Sequence, residues 1–222
     1  MSKGLFVTGT GTDVGKTYVT ALIIKKLRDA GYSAGYYKAA LSGAQSIADS
    51  DAGYVKKISG ISQQEETMVS YLYQNAVSPH LASIQEGNPV SLSKVRQDYA
   101  KVCGNYDYVT VEGSGGIVCP LRWDEKEHLL LEDIVREWKL NALIVADAGL
   151  GTIHASVTTA EYMRNHGITV KGIILNHYTG DERQKDNLHM IETLTGIPAA
   201  ACVGGSDTEL SMDADTLAGL YE

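Results

Sequence analysis

The residues with chemistry to offer begin at Gly9-Thr10-Gly11-Thr12-Asp13-Val14-Gly15-Lys16-Thr17. This stretch follows an apolar run, Leu5-Phe6-Val7, and precedes a segment whose apolar residues have helical spacing. Strand, glycine-rich turn and helix start form a context in which backbone N–H groups converge on phosphate, helped by the partial positive charge of the helix N-terminus. Lys16 brings a mobile ammonium to the β- and γ-phosphates of a nucleoside triphosphate, and the Thr17 hydroxyl is a ligand for Mg²⁺. The spacing is unusual, because five residues separate Gly9 from Gly15. The common pattern has four, which would put its first glycine at Thr10.

Three further side chains have charges that suit phosphoryl chemistry. Glu112 closes the β-favouring run Tyr108-Val109-Thr110-Val111 and opens Glu112-Gly113-Ser114-Gly115-Gly116. A carboxylate after an apolar strand is where phosphate-loop proteins place a metal-organising acid, and the small residues behind it let a ligand approach the backbone. Asp51, with Asp49 beside it, is a second candidate acid, although Asp49 also reads as a solvated helix cap. Lys38 lies near the end of Ser33–Ala40, where an ammonium stabilises charge on a transferring phosphoryl group. Without a phosphate loop it would read as a solvated lysine at a strand end.

These side chains need a scaffold that brings separate chain segments together, and the periodicity supplies one. Strands are expected at 4–8, 33–40, 108–111, 142–146, 170–175 and 199–203. Helices are expected at 16–30, 51–58, 78–87, 93–103, 130–138, 153–165 and 181–194, while 68–73 fits either a strand or a short buried segment. Alternation of this kind predicts an α/β fold of the P-loop NTPase type, a parallel β-sheet with helices on both faces. Ligands on such sheets sit at the C-terminal strand ends. Gly9, Lys38, Glu112 and Asn176 all fall there, so one site can collect them.

Composition narrows the function. The 222 residues fit a single domain, 1–222, and 44% hydrophobic with 21% charged residues is ordinary globular usage. A net charge of −8 without a basic block argues against nucleic acid or an anionic membrane as partner. Cys103, Cys119 and Cys202 are odd in number and form no C-x-x-C, as expected of reduced thiols in a cytoplasmic protein. Met1-Ser2-Lys3 leads straight into a strand without a signal-peptide pattern, and no apolar run has membrane-spanning length.

Taken together, the motifs resemble the dethiobiotin synthetase family. The matches run from Phe6-Val7-Thr8-Gly9-Thr10 and Thr12 through Val14-Gly15-Lys16-Thr17, Gly35-Tyr36, Lys38, Ser42-Gly43 and Ser50-Asp51-Ala52. They continue in Ser78-Pro79-His80, Gln85-Glu86-Gly87, Val111-Glu112-Gly113-Ser114-Gly115-Gly116, Pro120-Leu121, Leu150-Gly151-Thr152-Ile153 and Asn176. The family's own glycine loop has the longer spacing. The resemblance implies an ATP- and Mg²⁺-dependent ligase of biotin biosynthesis whose substrates are 7,8-diaminononanoate and CO₂ or bicarbonate. It implies that Lys16 and Lys38 are catalytic and that Thr17, Asp51 and Glu112 organise the metal. It assigns nucleotide contacts to Asp13, Val14, Gly15, Lys16, Thr17, Tyr18, Asp51, Glu112, Gly113, Ser114, Gly115, Asn176 and His177, with Asn176 at the base. Thr12 and Ser42 would contact the carbamate-bearing substrate. In the homodimer implied, the Leu150-Gly151-Thr152 loop would reach the partner's substrate site.

Departures from the family pattern are local. Lys38 is followed by Ala39-Ala40 in place of a proline-containing segment, His154 stands where asparagine is common, and Val203-Gly204-Gly205-Ser206-Asp207 lacks an Ile-Pro pair. The alternative from another class is a P-loop switch ATPase of the partition or septum-positioning type. Such proteins carry a second lysine early in the loop, where this chain has Thr10-Gly11-Thr12.

Overall fold

The computed structural model describes residues 2–222. Among the described residues there are nine strands and eight α-helices, largely in alternation. They begin with β1 (Lys3–Gly9), α1 (Lys16–Asp29), β2 (Ala34–Ser42), α2 (Asp51–Ser59), β3 (Val69–Tyr73), α3 (Pro79–Gln85), α4 (Leu92–Cys103) and β4 (Tyr108–Gly116). The chain continues through β5 (Pro120–Trp123), β6 (His128–Leu130), α5 (Leu131–Glu137), β7 (Asn141–Asp147), α6 (Thr152–Asn165), β8 (Val170–Asn176), α7 (Glu182–Thr195), β9 (Ala199–Val203) and α8 (Ala214–Gly219).

Seven strands form one sheet in the order β3-β2-β4-β1-β7-β8-β9, and every pairing within it is parallel. The strand period of two divides the core into two layers. Leu5 and Val7 pack in one layer and Phe6 in the other, while Leu143 and Val145 separate in the same way from Ala142, Ile144 and Ala146. All eight of these side chains in β1 and the middle of β7 are sealed from solvent, so the centre of the sheet is covered on both faces. The helices start where local chemistry lets them. Ser50 caps α2 by accepting from the Ala52 N–H at 3.2 Å, and Asp181 caps α7 by accepting from the Gln184 N–H at 2.8 Å.

The sheet agrees with the alternation read from the sequence, and four details go beyond it. The ambiguous 68–73 segment is the edge strand β3. The glycine-rich run after Val111 continues as part of β4, with a register shift opposite Val7–Gly9 before Gly116 meets Gly9. Strands β5 and β6 form an antiparallel hairpin, and α8 packs Leu217 against the core; both were too short to leave a period. Among the described residues, no helix is long and apolar enough to cross a membrane.

Candidate functional site

The phosphate loop bridges β1 and α1, and its shape depends on one tight contact. Gly15 is the N-cap of α1 at φ 85°, a left-handed conformation suited to glycine. A Cβ there would lie 2.0 Å from Asn176 Nδ2, so the loop also needs glycine for space. Asn176, buried at the end of β8, donates through Nδ2 to the Val14 carbonyl at 3.0 Å, tying the loop to a strand that lies beyond β7 in the sheet. Asp13 adopts a left-handed φ of 61° in the same turn. Lys16 Nζ donates to the Gly11 carbonyl at 3.2 Å, so its ammonium lies along the loop.

The charged centre lies beside the start of α1. Lys38, 3% exposed, donates to Asp51 Oδ2 at 2.7 Å and to Glu112 Oε1 at 2.9 Å. Thr17 Oγ1 donates to the same Glu112 oxygen at 2.9 Å. Glu112 is also buried, and its Oε2 accepts from the Tyr36 hydroxyl at 3.1 Å. Strands β2 and β4 are adjacent and in parallel register as far as Tyr37 and Val111, and Lys38 and Glu112 directly follow that last pair. Asp51 arrives from the first turn of α2, which Ser50 caps.

Electrostatics follow from this packing. Burial pulls the Lys38 ammonium down, but Glu112 and Asp51 outweigh it and hold the group above its ordinary value. Burial pushes the Asp51 carboxyl up, yet Lys38 beside it leaves the group below the usual carboxylate range. Lys16 has weaker compensation, and burial lowers its ammonium despite the nearby Glu112 charge. One lysine is thus locked as a cation between two carboxylates, and the other is a partly desolvated ammonium on the loop.

A cleft of about 1140 Å³ opens at these strand ends. Such a volume exceeds that of most single drug-sized pockets and has room for a nucleotide and a second ligand. Thr12, Asp13, Gly15, Lys16, Thr17, Tyr18, Lys38 and Asp51 line one end. Ser42, Val77, Ser78, Pro79, Ser114, Gly115, Val118 and Cys119 line the rest. The Ser42 hydroxyl donates to the Val77 carbonyl at 2.6 Å, and Ser114 donates to the Ala40 carbonyl at 2.6 Å. Burial pushes the Cys119 thiol up to about 11, leaving it protonated at neutral pH.

Of the remaining candidate residues, Asp49 lines this cleft and the others lie outside it. Gly113 is beneath it, where a Cβ would press on Phe6 and Leu131. Glu112 lies just behind the cleft wall and reaches it through Lys38 and Thr17. Val14 and Asn176 pack against each other behind the loop. His177, also at left-handed φ (57°), pairs its Nδ1 with Asp147 Oδ2 at 2.6 Å. That pairing helps hold the Asp147 carboxyl below its ordinary range. Leu150, Gly151 and Thr152 project from the end of β7 into α6, and Leu150 is 92% exposed. Asp49 accepts from the Ser46 hydroxyl at 2.7 Å, and the α2 cap is Ser50 rather than Asp49.

The donor set suits a small hard cation. A hydroxyl and two carboxylates come together here: Lys38 donates to both Asp51 and Glu112, and Thr17 donates to Glu112. No group of three or more His, Cys, Asp or Glu among the described residues is gathered as a complete metal cage. Few protein oxygens beside a phosphate loop is the arrangement Mg²⁺ accepts, because it retains waters and takes the remainder from phosphate.

The sequence marked Tyr36 only as a residue shared with the family, with no role, and gave no sign of Gln63. Tyr36 reads as a core aromatic, and only its register against β4 directs its hydroxyl toward Glu112. Gln63 sits in an unpatterned loop, yet it is 1% exposed and bonds both backbone groups of Tyr36. A buried loop glutamine leaves no periodic signal.

Comparison with known proteins identifies the family. A family model described as an AAA domain matches residues 3–207. The chain is 47% identical over 223 residues to the ATP-dependent dethiobiotin synthetase BioD of Brachyspira hyodysenteriae, covering 100% of both chains. It is 48% identical over 202 residues to the enzyme of the same name from Clostridium perfringens, covering 89% of this chain and 88% of that one. Among solved structures, the septum site-determining protein MinD from Pyrococcus horikoshii superimposes with a TM-score of 0.53 at 14% identity, covering 100% of this chain and 95% of that one, which is a likeness of fold. With a parallel sheet that ends in this phosphate loop and full-length relatives at nearly half identity, the chain belongs to the ATP-dependent dethiobiotin synthetase family.

Proposed function

We propose that the chain, as one domain spanning 1–222, closes the ureido ring of dethiobiotin from 7,8-diaminononanoate, CO₂ and ATP. The observation that carries this reading is the buried Lys38, held between Asp51 and Glu112 beside the phosphate loop in a cleft large enough for two ligands. One amine of the substrate takes up CO₂ as a carbamate, and a carbamate oxygen attacks the γ-phosphorus with loss of ADP. The second amine attacks the carbonyl carbon of the mixed anhydride, and phosphate leaves carrying the carbamate oxygen.

Each step gathers negative charge that the site is built to meet. The backbone from Asp13 to Thr17 cradles phosphate, and Lys16 follows the γ-phosphoryl group through transfer. Lys38, charged across the neutral range, stabilises the oxygens between the carbamate and the phosphorus. Thr17, Asp51 and Glu112 hold Mg²⁺, which when bound neutralises phosphate charge. Thr12 and Ser42 orient the carbamate end of the diamine, so that positioning lowers the barrier to attack. Tyr18, Gly113, Ser114 and Gly115 border the nucleotide; Asn176 and His177 border its base. The Leu150-Gly151-Thr152 loop completes the partner's substrate site in a homodimer, and the exposed Leu150 side chain supports that role. Three free cysteines suit a cytoplasmic enzyme.

The test is phosphate release from ATP. It should require the diamine and bicarbonate together, and the organic product should have the mass of dethiobiotin. Turnover indifferent to the diamine would contradict this reading and favour a switch ATPase.

A further inference from the structure

Tyr36 has a position that packing alone does not explain. Strand β3 pairs with β2 from Lys38 onward, while β4 pairs with β2 from Ala34 to Tyr37. The backbone of Tyr36 therefore has no strand on its β3 side. Gln63 fills that place. The Tyr36 N–H donates to Gln63 Oε1 at 2.8 Å, and Gln63 Nε2 donates to the Tyr36 carbonyl at 2.9 Å and to Thr67 Oγ1 at 3.1 Å. A side-chain amide thus continues the ladder for one residue and fixes the base of the tyrosine. The ring is sealed among Leu5, Val7 and other core side chains, and its hydroxyl ends on Glu112 Oε2.

The two oxygens of Glu112 are divided between different partners. Oε1 accepts from Lys38 and Thr17, the groups that border the cleft, while the donor to Oε2 is Tyr36 on the core side. A carboxylate with one oxygen pinned in the core cannot rotate to share both oxygens with the lysine. We infer that Tyr36 is a positioning residue that holds the Glu112 carboxylate in the orientation needed to organise the metal ion beside the phosphate loop. This rests on the reading of Glu112 as a metal-organising acid. Groups that orient the ligands of a metal commonly change its affinity by about 10–100-fold when removed.

The experiment uses the full-length chain with Mn²⁺ as probe, titrated in the presence of ADP and followed by loss of the free-ion paramagnetic resonance signal. Tyr36→Phe keeps the ring and removes only the hydroxyl. The variant should bind Mn²⁺ about tenfold more weakly than the parent, and kcat should fall by a similar factor while KM for the diamine stays within about twofold. Equal Mn²⁺ affinity in a folded Tyr36→Phe variant would overturn the role of Tyr36. A parent protein that binds no Mn²⁺ with ADP would instead overturn the reading of Glu112 beneath it. If Tyr36→Phe does not fold, Tyr36→3-fluorotyrosine retains a hydroxyl of nearly the same volume and should bind Mn²⁺ at least as tightly as the parent; weaker binding there would equally overturn the inference.

Discussion

Lys38 is buried between a sealed Glu112 and a half-exposed Asp51, and its two partners pull in the same direction. Removing it leaves Glu112 buried and without its cation, which costs about 3–5 kcal/mol in comparable buried pairs. Lys38→Ala should therefore lower Tm as well as turnover, the latter by at least about a hundredfold as for loss of one transition-state charge partner. Adding Glu112→Gln should return much of the Tm without returning activity, and thermal unfolding beside a phosphate-release assay separates the two effects. Asp51 makes a pH-dependent contribution of known sign. Burial opposes its ionisation, Lys38 outweighs that, and the folded carboxyl ionises below its unfolded value. Stability from the pair is then present above about pH 4 and lost as pH falls through the lower folded value. The side chain is 48% exposed, so the effect is modest. Asp51→Asn should lower Tm at neutral pH, and parent and variant should converge in acid when melted across a pH series.

At the level of elements, the loop between β1 and α1 is shaped by β8 as much as by its own glycines. Gly15→Ala would place a methyl group on the Asn176 amide in a left-handed backbone conformation. ADP binding measured by calorimetry should fall at least tenfold, with a smaller loss of Tm. Gly11→Ala, with open space around the position, should bind ADP far better than Gly15→Ala. The strand–loop–helix run was readable because its period changes from two to 3.6 around a glycine turn. Lys38 and Glu112 were readable because each closes an apolar run at the active edge of a parallel sheet. The contacts of Tyr36, which the resemblance marked only as a match, and those of Gln63 were not, because they depend on where β3 starts pairing with β2, which no local pattern encodes. The β5–β6 hairpin and α8 were missed for a related reason: strands of four and three residues and a helix of six are too short to show a period. The long β4 escaped notice because glycines that normally end a strand here continue it past a register shift.

For the molecule as a whole, the site is assembled from strand ends that are far apart in the chain, and its proposed completion comes from a second copy. Leu150, 92% exposed at the tip between β7 and α6, is the residue to test. Leu150→Asp should shift sedimentation toward monomer and reduce turnover about tenfold or more, while ADP binding, which belongs to one chain, stays within about twofold. The covalent course of the reaction matters most, because Lys38 is assigned to the oxygens of a carbamate that becomes phosphorylated. Bicarbonate labelled with heavy oxygen, supplied in short incubations with ATP, Mg²⁺ and the diamine, tests that directly. The account predicts one labelled oxygen in each released phosphate, formed in equal amount with dethiobiotin, and unlabelled phosphate released regardless of the diamine would contradict it.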